Sequence, residues 1–171
     1  MNLDPHLAKI QDFPKPGITF YDISPILEEP DTLKSCVAAL TDQAAQYQPD
    51  VIVGLDARGF LFSVPVAMQL DLGTVMVRKA GKLPGEVKEE SYALEYGKAT
   101  LAVQTARKLA GKRVVIVDDL LATGGTVAAA QSLLSQVGAD VVASLFLVEL
   151  RGLSGRARLS GNVHALQTYE F

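Results

Sequence analysis

Residues 113–126 read RVVIVDDLLATGGT, and this segment indicates more about the architecture than any other. Four consecutive apolar residues, Val114 to Val117, predict a strand buried on both faces, because a strand exposed on one face alternates apolar with polar residues. Asp118 and Asp119 follow at the carboxyl edge of that strand, where open α/β sheets bind their ligands. A loop of small residues then leads into a helix. The segment therefore predicts a strand, a ligand-binding loop and a helix in direct succession.

The alternation of strand and helix continues on both sides of this segment. Other aliphatic runs predict buried strands at residues 51–55, 73–77 and 141–148, and apolar periodicity predicts helices at residues 32–46, 60–70 and 126–137. Strands that alternate with helices form parallel sheets. We therefore expect an α/β fold with a mainly parallel sheet flanked by helices, in a single domain spanning residues 1–171.

Two segments depart from this repeat. Residues 12–25 contain three prolines amid aromatic and β-branched residues, which predicts an extended, irregular flap at the N-terminal side. Residues from about 79 to 99, here called the hood loop, are charged and contain glycine and proline, which predicts a long mobile loop. An alternating run follows at residues 100–105. Long loops within compact domains are usually functional, so both segments are candidates for substrate contact.

The composition favours a globular protein with a small-molecule partner. The chain has 171 residues, of which 49% are hydrophobic, and its formal net charge is −3. Disordered chains combine low hydrophobicity with high net charge, and nucleic-acid-binding domains are usually strongly basic, so both classes are disfavoured. The most apolar window, residues 59–70, is shorter than the roughly 20 residues that a membrane helix needs. Because residues 1–11 lack the features of a secretory signal, we expect a cytoplasmic protein.

The cysteine and histidine residues give no sign of a metal site or a disulfide. Cys36 is the single cysteine, and its place in an amphipathic stretch predicts a small core residue. The two histidines, His6 and His164, are far apart and have no cysteine at a zinc-site spacing.

The loop after the two aspartates has the chemistry of a phosphate cradle. Backbone N–H groups of small residues can close around an anion, and the start of the following helix adds positive potential. The cradle is expected to comprise Ala122, Thr123, Gly124, Gly125 and Thr126. No Walker A or G-x-G-x-x-G motif occurs in the chain, which disfavours an ATPase or a dinucleotide-binding protein.

Two adjacent carboxylates beside a phosphate cradle suggest a ribose with vicinal hydroxyls. Asp118 and Asp119 can accept hydrogen bonds from the 2′ and 3′ hydroxyls, either directly or through Mg²⁺ and its water ligands. The expected ligand is therefore a ribose 5-phosphate.

At this point the chain resembles a known family. The segment VVIVDDLLATGGT is similar to the phosphoribosyl pyrophosphate (PRPP) binding motif of the type I phosphoribosyltransferases, and the surrounding chain resembles the adenine-specific branch of that family. The similarity extends over most of the sequence: FPKPG at 13–17, GLDARGFLF at 54–62, RKAGKLPG at 78–85, SYALEYG at 91–97 and VEL at 148–150.

The resemblance implies a pyrophosphate site made of two groups. The first is the turn after the strand at 51–55, with Asp56, Ala57 and Arg58, where the family often has a cis peptide. The second is the basic cluster of Arg78, Lys79 and Lys82. The family more often has serine at the position of Ala57, so one hydroxyl contact is absent here.

The resemblance also implies how the base is held. In the family, an aromatic residue matching Phe20 stacks on the purine, and main-chain groups near Thr19 and Tyr21 read its edge; the family more often has arginine at the position of Tyr21. Glu95 matches a hood glutamate that handles the proton of the purine, and Tyr96 follows it in the same hood.

The implied function is transfer of the 5-phosphoribosyl group of PRPP to N9 of adenine with Mg²⁺, giving AMP and pyrophosphate, as a homodimer and in purine salvage. One alternative is a related transferase for hypoxanthine, guanine or xanthine. The sequence after the last expected strand, Glu149-Leu150-Arg151, lacks the valine-lysine pattern of those enzymes. A second alternative is a PRPP-sensing regulator without catalysis, which would need a nucleic-acid surface.

Overall fold

A computed structural model describes residues 2–93 and 97–170. Nine strands are present in this part of the chain: β1 (Ala8–Gln11), β2 (Thr19–Asp22), β3 (Val51–Leu55), β4 (Gly73–Lys79), β5 (Val87–Ala93), β6 (Lys98–Gln104), β7 (Arg113–Leu121), β8 (Asp140–Leu150) and β9 (Asn162–Tyr169). The α-helices are α1 (Ser24–Glu28), α2 (Pro30–Ala45), α3 (Phe60–Gln69) and α4 (Gly125–Gln136). Short 3₁₀ helices lie at Asp4–His6, Arg151–Leu153 and Gly155–Arg158.

The main sheet has seven strands in the order β5-β6-β4-β3-β7-β8-β9. The five strands from β4 to β9 in this order are parallel, whereas β6 pairs antiparallel with both β4 and β5. The expected α/β fold with a mainly parallel sheet is therefore confirmed. A separate two-stranded antiparallel sheet joins β1 to β2.

The central strands are apolar throughout because both of their faces are covered. Val115 and Val117 on β7 belong to a cluster with residues of α2 and α3, whereas Val114 and Ile116 belong to a cluster with residues of α4. Successive side chains of a strand point to opposite faces, so a continuous apolar run fills both cores. Cys36 is fully buried in the first cluster, which confirms the expected core position.

Several boundaries differ from the expectations. β7 continues through Leu121, so Asp118 and Asp119 lie inside the strand rather than after it, because β8 keeps pairing with it as far as Leu121 opposite Glu149. β9 was not expected, since its sequence, NVHALQTY, mixes polar and apolar residues and it lies at the sheet edge. The flap contains strand β2, which pairs with β1.

The hood loop is also more regular than expected. Residues 87–93 form β5, whose seven residues all pair with β6, so much of the segment is one arm of a hairpin. Glu90 accepts hydrogen bonds from Ser132 and Gln136 of α4 at 3.2 and 2.6 Å. One of the charged side chains that suggested a loop, Glu90, therefore binds a neighbouring helix.

Candidate active site

The two central strands of the sheet end side by side. β3 and β7 are parallel neighbours with Gly54 opposite Val117, and each continues into a turn that starts a helix. A cavity of about 460 Å³ opens at this edge. Its lining residues are Asp56, Ala57, Arg58, Lys79, Tyr92, Ala99, Leu101, Asp118, Asp119, Leu120, Leu121, Ala122, Thr123, Gly124, Gly125, Thr126 and Val127. Three segments singled out in the sequence thus meet at one cavity.

Asp118 and Asp119 form a buried acidic pair in this cavity. Asp119 is only 4% exposed, and the Arg58 Nε atom lies 2.9 Å from its Oδ2 atom. Burial and the adjacent charge of Asp119 raise the pKa of Asp118 well above the ordinary value of 3.8. Burial also raises the pKa of Asp119, although the charge of Arg58 opposes that shift. The folded chain therefore keeps two closely spaced carboxyl groups where ionisation is costly.

The acidic pair suits a divalent cation or a ribose. Asp119 Oδ2 is buried and accepts no hydrogen bond from the described residues, although Arg58 lies nearby. A buried carboxylate oxygen without a donor is unfavourable unless a ligand completes it. Oxygen atoms are also the ligands that Mg²⁺ prefers. Asp118 and Asp119 therefore fit the expected Mg²⁺ and the ribose hydroxyls that would share it.

The phosphate cradle follows β7 directly. Gly124 is in the left-handed conformation with φ of 77°, and α4 begins at the next residue. The three residues before α4 and the first two residues of α4 all line the cavity. The N–H groups of a first helical turn have no partners within the helix, so they can bind an anion.

Gly155, a residue that the sequence analysis missed, packs against the backbone of the phosphate cradle. Gly155 lies in a 3₁₀ helix after β8, and a Cβ atom there would overlap the carbonyl oxygen of Ala122 and lie 2.8 Å from the Gly124 nitrogen. Only glycine fits this contact. Gly155 lies 29 residues after the end of the cradle in sequence, which explains why no local pattern indicates it.

The basic residues expected at the pyrophosphate divide into two kinds. Arg58 and Lys79 line the cavity, as does the Asp56–Ala57 turn, whose peptide bond is cis. Arg78 is instead engaged with Asp56, since its Nε atom donates to Oδ2 at 2.9 Å. It also donates to the carbonyl oxygen of Lys82 at 3.3 Å. Arg78 thus supports the turn, and Lys82, which is exposed, does not line the cavity.

The flap approaches the cavity through Phe20. The Arg58 guanidinium carbon lies 5.4 Å from the centre of the Phe20 ring, and the Phe13 ring packs edge-on against Phe20 with centroids 5.2 Å apart. Thr19 donates a hydrogen bond to Gln11 on β1 at 2.9 Å. Of the three expected base-binding residues, Phe20 is the one whose side chain contacts a residue of the cavity lining, Arg58.

Tyr21 holds the flap instead. Its buried ring packs on Tyr169 of β9 with centroids 4.7 Å apart. The Tyr169 hydroxyl donates to Asp4 at 2.6 Å, and Lys9 donates to the same carboxylate at the same distance. This explains how tyrosine can stand where the family more often has arginine, because its side chain anchors the flap to the sheet edge.

Charged residues at the end of β8 and beyond it bind one another. Glu149 is 2% exposed and accepts two hydrogen bonds from Arg156 at 2.8 and 2.5 Å. Arg151 donates to Glu170 at 2.6 Å.

Glu95 and Tyr96, the expected hood residues, lie outside the described residues. Within the described part of the chain, no helix has the length and apolar character to cross a membrane.

The fold and the site define the class of protein. The family model of the phosphoribosyl transferase domain matches residues 26–168, which include the central strands, the acidic pair and the cradle. The expected class, a phosphoribosyltransferase, is thereby confirmed.

The narrower family follows from close relatives. An adenine phosphoribosyltransferase of Rhodospirillum rubrum is 49% identical over 170 residues, with 99% of each chain covered. The crystal structure of that enzyme from Thermoanaerobacter pseudethanolicus has a TM-score of 0.94 and 41% identity, covering 98% of both chains. The Saccharomyces cerevisiae enzyme, in complex with adenine and an imino-altritol bisphosphate, has a TM-score of 0.89 and 40% identity over 96% of each chain. The chain belongs to the adenine phosphoribosyltransferase family.

Proposed function

We propose that the protein transfers the 5-phosphoribosyl group of PRPP to N9 of adenine and releases AMP and pyrophosphate, a reaction of purine salvage. The observation that carries this proposal is the single cavity at the ends of β3 and β7. It brings an acidic pair, a phosphate cradle and the cations Arg58 and Lys79 together. Family membership narrows the base to adenine.

The ribose 5-phosphate part of PRPP fits between the acidic pair and α4. Asp118 and Asp119 hold the ribose hydroxyls, and the backbone N–H groups from Ala122 to Thr126 hold the 5-phosphate. Mg²⁺, when bound, neutralises part of the charge of PRPP. These contacts fix the position of the anomeric carbon C1′, and such positioning is a large part of catalysis in group transfer.

The cations that line the cavity assist departure of the leaving group. When the bond from C1′ to pyrophosphate breaks, the electron pair leaves with pyrophosphate and positive charge develops on the ribose. Arg58 and Lys79 stabilise the departing negative charge. Arg78 acts indirectly, because it holds Asp56 and thereby the turn that presents Arg58. Adenine N9 then attacks C1′ from the opposite face.

The base is held by the flap. Phe20 lies over Arg58, next to the cavity, and supplies a face on which adenine stacks. Main-chain groups near Thr19 and Tyr21 contact the edge of the base. Glu95 handles the purine proton and Tyr96 completes the hood, which closes over the substrates and excludes water.

We further propose that the chain forms a homodimer in the cytoplasm. Leu61, Val64 and Met68 are 47%, 43% and 75% exposed and recur along one face of α3. An apolar helix face of this kind is typical of an interface. The expected result of light scattering is a dimer that Met68→Glu converts to monomer. A monomeric unmodified protein would contradict the proposal.

The activity is tested by incubating the protein with adenine, PRPP and MgCl₂ and measuring AMP by chromatography. We expect AMP and pyrophosphate in equal amounts. We expect no AMP with the double variant Asp118→Asn, Asp119→Asn, or without MgCl₂. Absence of AMP with the unmodified, folded protein would overturn the proposed function.

A further inference from the structure

Strands β5 and β6 form a hairpin, here called the hood hairpin, and Tyr92 on β5 touches the phosphate cradle. Tyr92 lies on β5, opposite Ala99 of β6, and both residues line the cavity. The Tyr92 hydroxyl oxygen lies 3.0 Å from the hydroxyl oxygen of Thr126, the second residue of α4. The Tyr92 ring also lies 3.7 Å from the position that a Cβ atom of Gly125 would occupy. The ring therefore forms a wall of the cradle, and its hydroxyl bonds to a residue of the cradle.

The direction of this hydrogen bond depends on the ligand. A hydroxyl group has one hydrogen to donate and two lone pairs that accept. In the free protein, either Tyr92 or Thr126 can be the donor. A phosphate dianion offers only acceptors, so Thr126 must donate its hydrogen to the phosphate when it binds one. Tyr92 is then the donor to Thr126, and the two bonds polarise each other in series.

We infer that Tyr92 is a positioning residue for the 5-phosphate, acting through the hydroxyl of Thr126. This inference rests on the proposed function. Tyr92 holds the Thr126 side chain in the rotamer that points its hydrogen to the phosphate, and it fixes the hood hairpin to the occupied cradle. Thr126 is the cradle residue whose hydroxyl group bonds to β5, so its side-chain orientation is the one that Tyr92 can fix.

The test compares ligands with and without the 5-phosphate. We would measure dissociation constants of AMP and adenosine by calorimetry for the unmodified protein, Tyr92→Phe and Ser91→Ala. Tyr92→Phe removes the hydroxyl and keeps the ring. Ser91→Ala is the matched control, because it removes a hydroxyl bonded to Thr100 at 2.8 Å on the same hairpin, outside the cavity lining.

We expect Tyr92→Phe to weaken AMP binding by about 3- to 10-fold, the range for one hydrogen bond, and to leave adenosine binding unchanged. Ser91→Ala should change neither. In a Thr126→Val background, Tyr92→Phe should cause no further loss of AMP affinity.

Three results would overturn the inference. Tyr92→Phe could leave AMP binding unchanged, or weaken AMP and adenosine equally, or add its full loss to that of Thr126→Val. A different result marks failure of the proposed function itself: the unmodified protein would bind adenosine as tightly as AMP, and the inference would fall with it.

Discussion

The two ends of the site are built in different ways. The phosphate end takes its ligand groups from one continuous segment, from β7 through the cradle into α4, and Gly155 and Tyr92 pack against that segment from elsewhere in the chain. The base end is assembled from parts distant in sequence. Phe20 meets Arg58, and Tyr21 meets Tyr169. We therefore expect backbone groups that are fixed by secondary structure to bind the charged 5-phosphate, and the Phe20 ring together with main-chain groups of the flap to hold the adenine.

This difference predicts where substitutions act. Changes at the phosphate end should abolish or weaken use of PRPP, whereas changes at the base end should act mainly on adenine. The expected effects decrease from the acidic pair to the flap.

The largest effect is expected for Asp119→Asn. The substitution keeps the size of the side chain and removes the charge that pairs with Arg58 at 2.9 Å. The kcat/KM for PRPP should fall by about 100- to 1,000-fold, because electrostatic contacts at the reacting centre provide much of the rate enhancement. Asp140→Asn is the control, since that exposed carboxylate lies at the other end of the sheet. Equal losses in the two variants would contradict a role for Asp119 in the site.

The second-largest effect is expected for Gly155→Ala, at the residue that packs against the phosphate cradle. Gly155→Ala places a methyl group against the Ala122 carbonyl, and the resulting displacement should weaken PRPP binding by about 10- to 100-fold, as overpacking commonly costs 1–3 kcal/mol. The measurement is calorimetric titration with PRPP. Gly73→Ala is the matched control, because a Cβ atom there would meet nothing within 4 Å. Unchanged binding in Gly155→Ala would show that the 3₁₀ helix does not support the cradle.

A third, smaller effect distinguishes the base end. Phe20→Leu keeps an apolar side chain but removes the aromatic face. The KM for adenine should rise by about 3- to 10-fold, since aromatic contacts contribute about 0.5–1.5 kcal/mol beyond their burial. The dissociation constant of PRPP should stay the same. Phe13→Leu makes the same change one ring farther from Arg58 and should have less effect. A larger loss for PRPP than for adenine would refute the division between the two ends.

The smallest expected effect is on the melting temperature of the free protein. Loss of a carboxylate should raise it at the phosphate end and lower it beside the flap. Burial raises the pKa of Asp118, so ionisation of this carboxyl group costs folding free energy. Asp118→Asn should raise the Tm by about 2–4 °C, the shift that 1 kcal/mol produces in a chain of this size. Hydrogen bonds from Lys9 and Tyr169 lower the pKa of Asp4, so its charge favours folding, and Asp4→Asn should lower the Tm slightly. Thermal unfolding of both variants without ligands checks this. A lower Tm for Asp118→Asn would show that the carboxylate stabilises the free fold.

The same difference explains what could be predicted from the sequence. The strand at 51–55 and the helix after the cradle follow from local apolar patterns, and the structure has them at Val51–Leu55 and Gly125–Gln136. The acidic pair and the cradle are contiguous, so their chemistry can be read in one segment. The pairing of Arg78 with Asp56 and the contact of Gly155 with Ala122 join residues far apart in the chain. No local pattern encodes such contacts.

Strand β5 in the hood hairpin shows a second reason why the structure differs from the prediction. Lys88, Glu89 and Glu90 are unusual in a strand, and their charge suggested a loop. Pairing with β6 and the hydrogen bonds from Ser132 and Gln136 outweigh that local preference. Tertiary contacts therefore decided the structure of the segment.

The most direct test of the proposed activity is the rate of pyrophosphate release from PRPP and MgCl₂ with adenine, hypoxanthine or guanine as the single added base. We expect adenine to react at least about 100-fold faster than either of the others, because a site that hydrogen-bonds one base edge leaves polar groups unpaired with another. Faster release with hypoxanthine or guanine would contradict the assignment of the base. No release with any purine would contradict the assignment of a transferase.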